Sequence, residues 1–353
     1  MNTTAHRHEV PDDPLGAIDY CFDQGWTDGL PVVPPEAGRV AAMLAFEGRP
    51  PETVIAEHPA TGLRLTVESL AANAVMAGCK PEYLPVLVAA FEAMNEPDFN
   101  FHGSCASTGG SAPLLIVSGP AVEELGLNSG VNLFGPGNRA NATIGRAVRL
   151  ALLNVFKMIP GISDKSTQGH PGKFSFCIGE RADRSPWPRL CEALDYPEGV
   201  SSVTVYAGAG FVNLENHGAN TPEMLCDSFA DGMANYGCIS KGETVLVVSP
   251  EHAKIIGDAG WSREQTQAYL FERARRTVGQ LQAIGKYHQR EHERGQKLGA
   301  DDAEHIHRGL TPDDILIVVG GGDAGGHSAF IPSWSRTRGS LRQSKPIGVC
   351  LDC

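Results

Sequence analysis

Leu114-Leu-Ile-Val-Ser118-Gly-Pro-Ala-Val-Glu-Glu-Leu-Gly126 and Val245-Leu-Val-Val-Ser249-Pro-Glu-His-Ala-Lys-Ile-Ile-Gly257 are two versions of one pattern. Each has a short apolar run, a serine-led turn carrying proline, and a segment that closes on glycine. An apolar run of this length bounded by turn residues reads as a buried strand, and the segment behind the turn reads as a helix. Working upstream, Pro81-Glu82-Tyr83-Leu84 opens a helix containing Ala89, and Pro222-Glu223-Met224-Leu225 opens one with Ala230 at the same offset. The order helix, loop, strand, serine turn, helix therefore occurs twice. It predicts an α/β protein made of two related lobes of βα units around short, mostly buried strands. Residues 1–180 form the first lobe and 200–353 the second, and the polar, proline-bearing stretch 181–199 connects them.

The remaining elements follow from periodicity and from the 41 glycines and 24 prolines that punctuate the apolar runs. Strands are expected at Leu30–Val33, Val203–Tyr206, Thr244–Val248 and Ile315–Val319. Helices are expected at Ala37–Phe46, Leu63–Met76, Pro81–Met94, Asn141–Met158, Thr221–Met233 and Arg263–His292. In Asn141–Met158 the apolar Ile144, Val148, Leu152 and Val155 recur at three and four residues, and Asn141 or Thr143 is placed to cap it.

A formal net charge of -12, with no Lys/Arg cluster long enough to form a phosphate-tracking stripe, argues against nucleic acid and against an anionic membrane surface as partners. No apolar run reaches the length of a membrane span, and the polar N-terminus does not read as a leader, so a cytoplasmic location is expected. Nine cysteines at irregular spacing in such a chain read as reduced thiols rather than a disulfide framework.

The two copies differ between helix and strand. Copy two has only Asn235–Glu243, whereas copy one has Asn95–Pro113, which holds Phe101-His102-Gly103-Ser104-Cys105 followed by small polar residues. A long loop of this composition suits site-building. A working thiol needs its thiolate favoured, and His102 three residues before Cys105 is the candidate base, with the N–H groups that follow as an anion nest. Gly103-Ser104-Cys105 resembles the motif of the UGSC family, the selenocysteine-Gly-Ser-Cys proteins and their cysteine homologues. That resemblance implies a thiol- or selenol-based redox centre. His102 stands where the family has selenocysteine or cysteine, which leaves Cys105 as the reactive thiol and His102 as its base or a metal ligand.

Other candidates surround this one. Cys350-Leu-Asp-Cys353 offers two thiols that could resolve a disulfide with Cys105. Gly135-Pro-Gly137-Asn138-Arg139-Ala-Asn141 leads into a helix, and Arg139, Asn141 and Arg146 suit an acidic group there, with Arg149 nearby. Gly320-Gly321-Gly322-Asp323-Ala-Gly-Gly-His327 follows a strand, where Gly321 and Gly322 allow close approach and Asp323 and His327 supply polar contacts. Gly169-His170-Pro-Gly-Lys173 is a lesser loop of the same kind. His288-Gln-Arg-Glu291-His292 matches an inverted zinc-protease motif, but its surroundings are too polar for a catalytic helix, so His288 and His292 stand only as the runner-up metal site. The His305/His307 alternation suits a strand or turn.

The expected function is a cysteine-dependent enzyme performing redox or sulfur chemistry on a small anionic molecule. Cys105 and His102 carry the chemistry, Asp323 and His327 assist, and Arg139, Asn141, Arg146, Gly321 and Gly322 bind substrate. The alternatives are a metal-dependent lyase or hydrolase with His/Cys ligands, and a non-catalytic metal- or ligand-binding protein. The sequence names no cofactor, and it leaves self-association into a homo-oligomer open.

Overall fold

The computed structural model describes residues 7–286 and 303–348. In chain order the elements are α1 (Pro14–Asp23), α2 (Ala37–Glu47), the hairpin β1 (Val54–Glu57) and β2 (Arg64–Thr66), α3 (Val67–Ala77), α4 (Leu84–Met94), α5 (Phe101–Ala106), β3 (Ala112–Ser118), α6 (Ala121–Glu124), α7 (Arg139–Asn154), β4 (Cys177–Gly179), α8 (Leu190–Ala193) and β5 (Ser202–Gly208). Then come β6 (Val212–Glu215), α9 (Pro222–Met233), β7 (Thr244–Val248), α10 (Pro250–Asp258), α11 (Arg263–Arg273), β8 (Arg275–Thr277), α12 (Val278–Ala283), β9 (His305–His307), β10 (Ile315–Val319), β11 (His327–Pro332) and β12 (Gln343–Pro346). The α/β class read from the sequence is the class found.

The chain divides into two compact units, with boundaries different from those expected. The first holds residues up to Glu180, Arg189–Ala209 and the described residues from Leu341 on, and the second holds Arg181–Pro188 and Gly210–Ser340. The stretch 181–199 is thus not a free connection. Its first part belongs to the second unit, and the part that forms α8 belongs to the first.

Each unit contains one four-stranded sheet, ordered β12-β5-β3-β4 in the first and β6-β11-β7-β10 in the second. In both, the central strand has a parallel neighbour on one side and an antiparallel one on the other, and a further antiparallel strand closes that side. The registers also agree. Val117 lies opposite Gly179 as Val248 lies opposite Val319, and Leu115 lies opposite Val205 as Leu246 lies opposite Phe330. The edge strands exchange owners: β6 follows β5 in the chain but joins the second sheet, and β12 follows β11 but joins the first.

Strands β3, β5, β7 and β10 are buried almost throughout, which is why they read as continuous apolar runs rather than alternating ones. In the first unit α4 is buried on every side except Glu92, and it packs on β5, β12, α3 and α7. A helix apolar all round belongs inside. In the second unit Leu225, Phe229, Leu246, Ile317 and Phe330 form the centre of the core.

Several expected elements differ: Leu63–Met76 divides into β2 and α3, and the helix expected to reach Met158 ends at Asn154. Leu30–Val33 is not a strand: Pro31, Pro34 and Pro35 remove the donors a ladder needs, and Val33 makes a single bond to Met76. The expected helix Arg263–His292 stops at Arg273, where Arg275–Thr277 pairs with His305–His307, and Thr277 then caps α12 by a capping box with Gln280. Its end, with His288 and His292, lies outside the described residues. The loop around Cys105 is the short helix α5, whose N-cap Asn100 adopts φ 55° and accepts a bond from the Gly103 N–H.

Candidate functional site

The first unit has a recess of about 20 Å3 at the foot of β3, enough for one water-sized group. Its wall is built by four segments. Helix α5 brings Cys105, the start of β3 brings Ser111, α7 brings Arg149, and the turns before β4 bring Asp164 and Lys173. Close packing here depends on Gly145 of α7: a Cβ at that position would fall 2.6 Å from the Phe176 nitrogen and 2.4 Å from the Ser175 hydroxyl.

The polar groups are ordered around Asp164. Lys173 Nζ lies 2.6 Å from its Oδ2 and 2.6 Å from Ser166 Oγ, and Arg149 Nη1 lies 3.5 Å from the same carboxylate oxygen. Burial disfavours the Asp164 carboxylate, but the hydrogen bonds from Lys173 and Ser166 outweigh it and hold the pKa below the usual value. Two cations therefore face one carboxylate. Ser111 is 5% exposed, and among the described residues its hydroxyl has no hydrogen-bond partner. A buried polar group left in this state costs about 1–3 kcal/mol, and a water or a ligand atom in the recess would remove that cost.

Cys105 is 7% exposed. Burial pushes its thiol up to about 12, against the pull of the Ser104 hydroxyl, Lys173 and Arg149. The sequence-based expectation of a thiolate favoured by His102 is corrected on both counts. The thiol is protonated at neutral pH, and His102 turns to His58 instead: its Nδ1 lies 3.3 Å from His58 Nε2.

The other expected binding residues have structural work. Arg139 caps the end of α3 by two bonds to the Gly78 carbonyl, at 3.1 and 2.9 Å. Arg146 holds the N-terminal segment through Asp28 and the carbonyls of Leu30 and Pro31. Asn141 donates to the Cys177 and Asn128 carbonyls, and the cap of α7 is Asn138, neither Asn141 nor Thr143.

In the second unit Asp323 is exposed and paired with Arg181 and Arg184, each at 2.8 Å, and those two arginines hold its carboxyl below the usual range, Arg184 most. The Gly321 carbonyl accepts from Arg181, Gly322 lies in the turn between them, and His327 faces Asn213 and the edge of His217. Cys350 and Cys353 lie outside the described residues, and the seven described cysteines are all free thiols.

Comparison of the chain with protein families, with curated proteins and with solved structures finds no match. The recess therefore stands on its own geometry. Sequence reading reached Cys105, named Arg149 and Lys173, and had Ser111 inside the Asn95–Pro113 loop without singling it out, but it missed Asp164 and His58, which no motif marks. Among the described residues no helix is long and apolar enough to cross a membrane.

Proposed function

We propose that the first unit carries a thiol-dependent enzyme site for a small anionic molecule, with Cys105 as nucleophile or redox thiol. One observation carries this reading: the Cys105 thiol and the unpartnered Ser111 hydroxyl share one recess with Arg149 and Lys173. A water-sized tip of the anionic group enters the recess beside the two cations, Ser111 donates to it, and Asp164 fixes the Lys173 ammonium. The thiol starts neutral, so it must first give its proton to a base from solvent, and Arg149 and Lys173 favour the thiolate that remains for attack. The likeness of Gly103-Ser104-Cys105 to the UGSC motif supports the same role. The matched registers of the two sheets support the companion reading that the units are copies of one ancestral block.

Competing alkylation tests it. Peptide-resolved mass spectrometry at pH 9.5 compares anionic iodoacetate with neutral iodoacetamide at each cysteine. Cys105 should favour iodoacetate several-fold more than an unfolded control does, and Lys173→Gln with Arg149→Gln should erase the preference. Equal behaviour of Cys105 and the control would sink the reading. Binding of small anions without turnover of any thiol-reactive substrate would instead favour a non-catalytic binding protein.

A further inference from the structure

His58 follows β1 and is fully buried, whereas His102 on α5 is exposed. Their rings meet edge to face at 5.1 Å between centroids, with His102 Nδ1 and His58 Nε2 facing each other at 3.3 Å. Two facing imidazole nitrogens need a positive particle between them, either a proton or a metal ion. The separation suits the second: two bonds of about 2.0–2.1 Å to a tetrahedral zinc-class ion place their nitrogens roughly 3.3–3.4 Å apart. With no ion bound, the same separation holds a long hydrogen bond between the two rings.

The supporting shell is also built. Thr61 Oγ1 lies 3.0 Å from His58 Nδ1. When that nitrogen donates its proton to Thr61, Nε2 presents its lone pair toward His102, the arrangement in which metal-bound histidines are held. Phe101 and Phe156 pack on the His58 ring at 5.3 and 6.1 Å and fix its plane.

We propose that His58 and His102 form an open two-histidine site for a divalent transition-metal ion of the zinc class, oriented by Thr61. Among the described residues no group of three or more His, Cys, Asp or Glu side chains gathers as a metal site. The remaining coordination positions therefore fall to water or a ligand, reached from the exposed side of His102, one protein ligand fewer than the three usual in an open zinc centre. Cys105 lies three residues further along α5, lines the recess, and is not a ligand. The site goes beyond the thiol reading and does not depend on it.

The test uses the full chain, stripped with a chelator and titrated with Co2+ and with Zn2+. One equivalent of Co2+ should give the visible absorption of a low-coordinate nitrogen and oxygen site, with no thiolate-to-cobalt band. His102→Ala, on the surface, should weaken both metals at least tenfold, and Thr61→Val should weaken them by a smaller factor. Cys105→Ser should leave both metal affinities unchanged, which separates failure of this site from failure of the thiol reading. His288→Ala with His292→Ala should also leave binding intact. Absence of stoichiometric binding, full binding in His102→Ala, or a thiolate band would overturn the proposal.

Discussion

The foot of β3 and the foot of β7 occupy the same position in sheets of the same order and register, yet they are finished differently. Placing Val117 on Val248 sets Ser111, Ala112 and Pro113 against Gly242, Glu243 and Thr244. At the foot of β7 the chain fills the space with its own cation. Arg308 is fully buried, donates to the Thr244 hydroxyl at 3.1 Å, the Cys238 carbonyl at 2.6 Å and the Ser240 hydroxyl at 3.2 Å, and lies over the Phe330 ring at 4.9 Å. Among the described residues no such side chain enters the foot of β3: the cations Arg149 and Lys173 stand on the wall, and the Ser111 hydroxyl has no partner. One foot is thus filled by a buried cation and the other keeps a small recess, and on the proposed reading that is the difference between a core and a site.

Removing the plug should show the largest effect. Arg308→Met leaves buried acceptors without their donor and should cost about 3–5 kcal/mol in chemical denaturation. Lys173→Gln, on the recess wall, keeps a donor for Asp164 with Arg149 still facing it and should cost clearly less. Equal losses would erase the distinction between the two feet.

The next effect is kinetic. With its thiol at about 12, Cys105 should alkylate at pH 7.5 on the order of a hundredfold slower than a free thiol, and its rate should rise with pH without a plateau below about pH 11. A plateau near pH 8–9 would show that the recess activates the thiol in the resting protein.

Acid should weaken both units in one window. His170 in the first and His252 in the second are held below 6.5, chiefly by burial. His252 sits between the Ser328 hydroxyl and the Asn216 carbonyl, each at 2.8 Å. As pH falls below about 6.5 the unfolded chain takes up protons that the folded one refuses. The stability is complete above that pH and lost as pH falls toward the lowered values. Each group contributes a slope of at most about 1.4 kcal/mol per pH unit. Denaturation midpoints measured between pH 7 and 5 should fall, and His252→Asn should flatten part of the decline. An unchanged slope would remove His252 from the account.

The smallest effect has the opposite sign. Ser111→Ala removes an unpartnered buried hydroxyl and should leave the ligand-free protein as stable, or more stable by up to about 1 kcal/mol. A loss above 1 kcal/mol would mean that the hydroxyl already has a partner in solution and that the recess is a finished core.

Much of this was legible in the chain. β7 and β10 were read to the residue, because strands buried on both faces are plain apolar runs. The termini of α9 were legible because Thr221 and Pro222 announce its start. Arg139 and Arg146 were misread because an arginine near a helix start looks the same whether it awaits an anion or ties down the Gly78 carbonyl or Asp28. Only the partner tells, and the partners lie 61 and 118 residues away. His102 was paired with Cys105 because they are close in sequence. In α5 the imidazole meets His58 across 44 residues, and the thiol goes inward.

By itself the sequence determined the α/β class, the repeated helix–strand–serine–helix order and the reduced state expected of its thiols. Those follow from local patterns of apolar spacing, turn residues and composition. Only the tertiary structure decided that β6 and β12 exchange sheets, that burial rather than a neighbouring imidazole sets the state of Cys105, and that Asp164, Lys173, Arg149 and Ser111 share one recess. Each of these is a long-range pairing or a solvation effect. A pattern read along the chain fixes which residues seek burial, but the free energy of a charge or a thiol depends on which groups the fold has brought beside it.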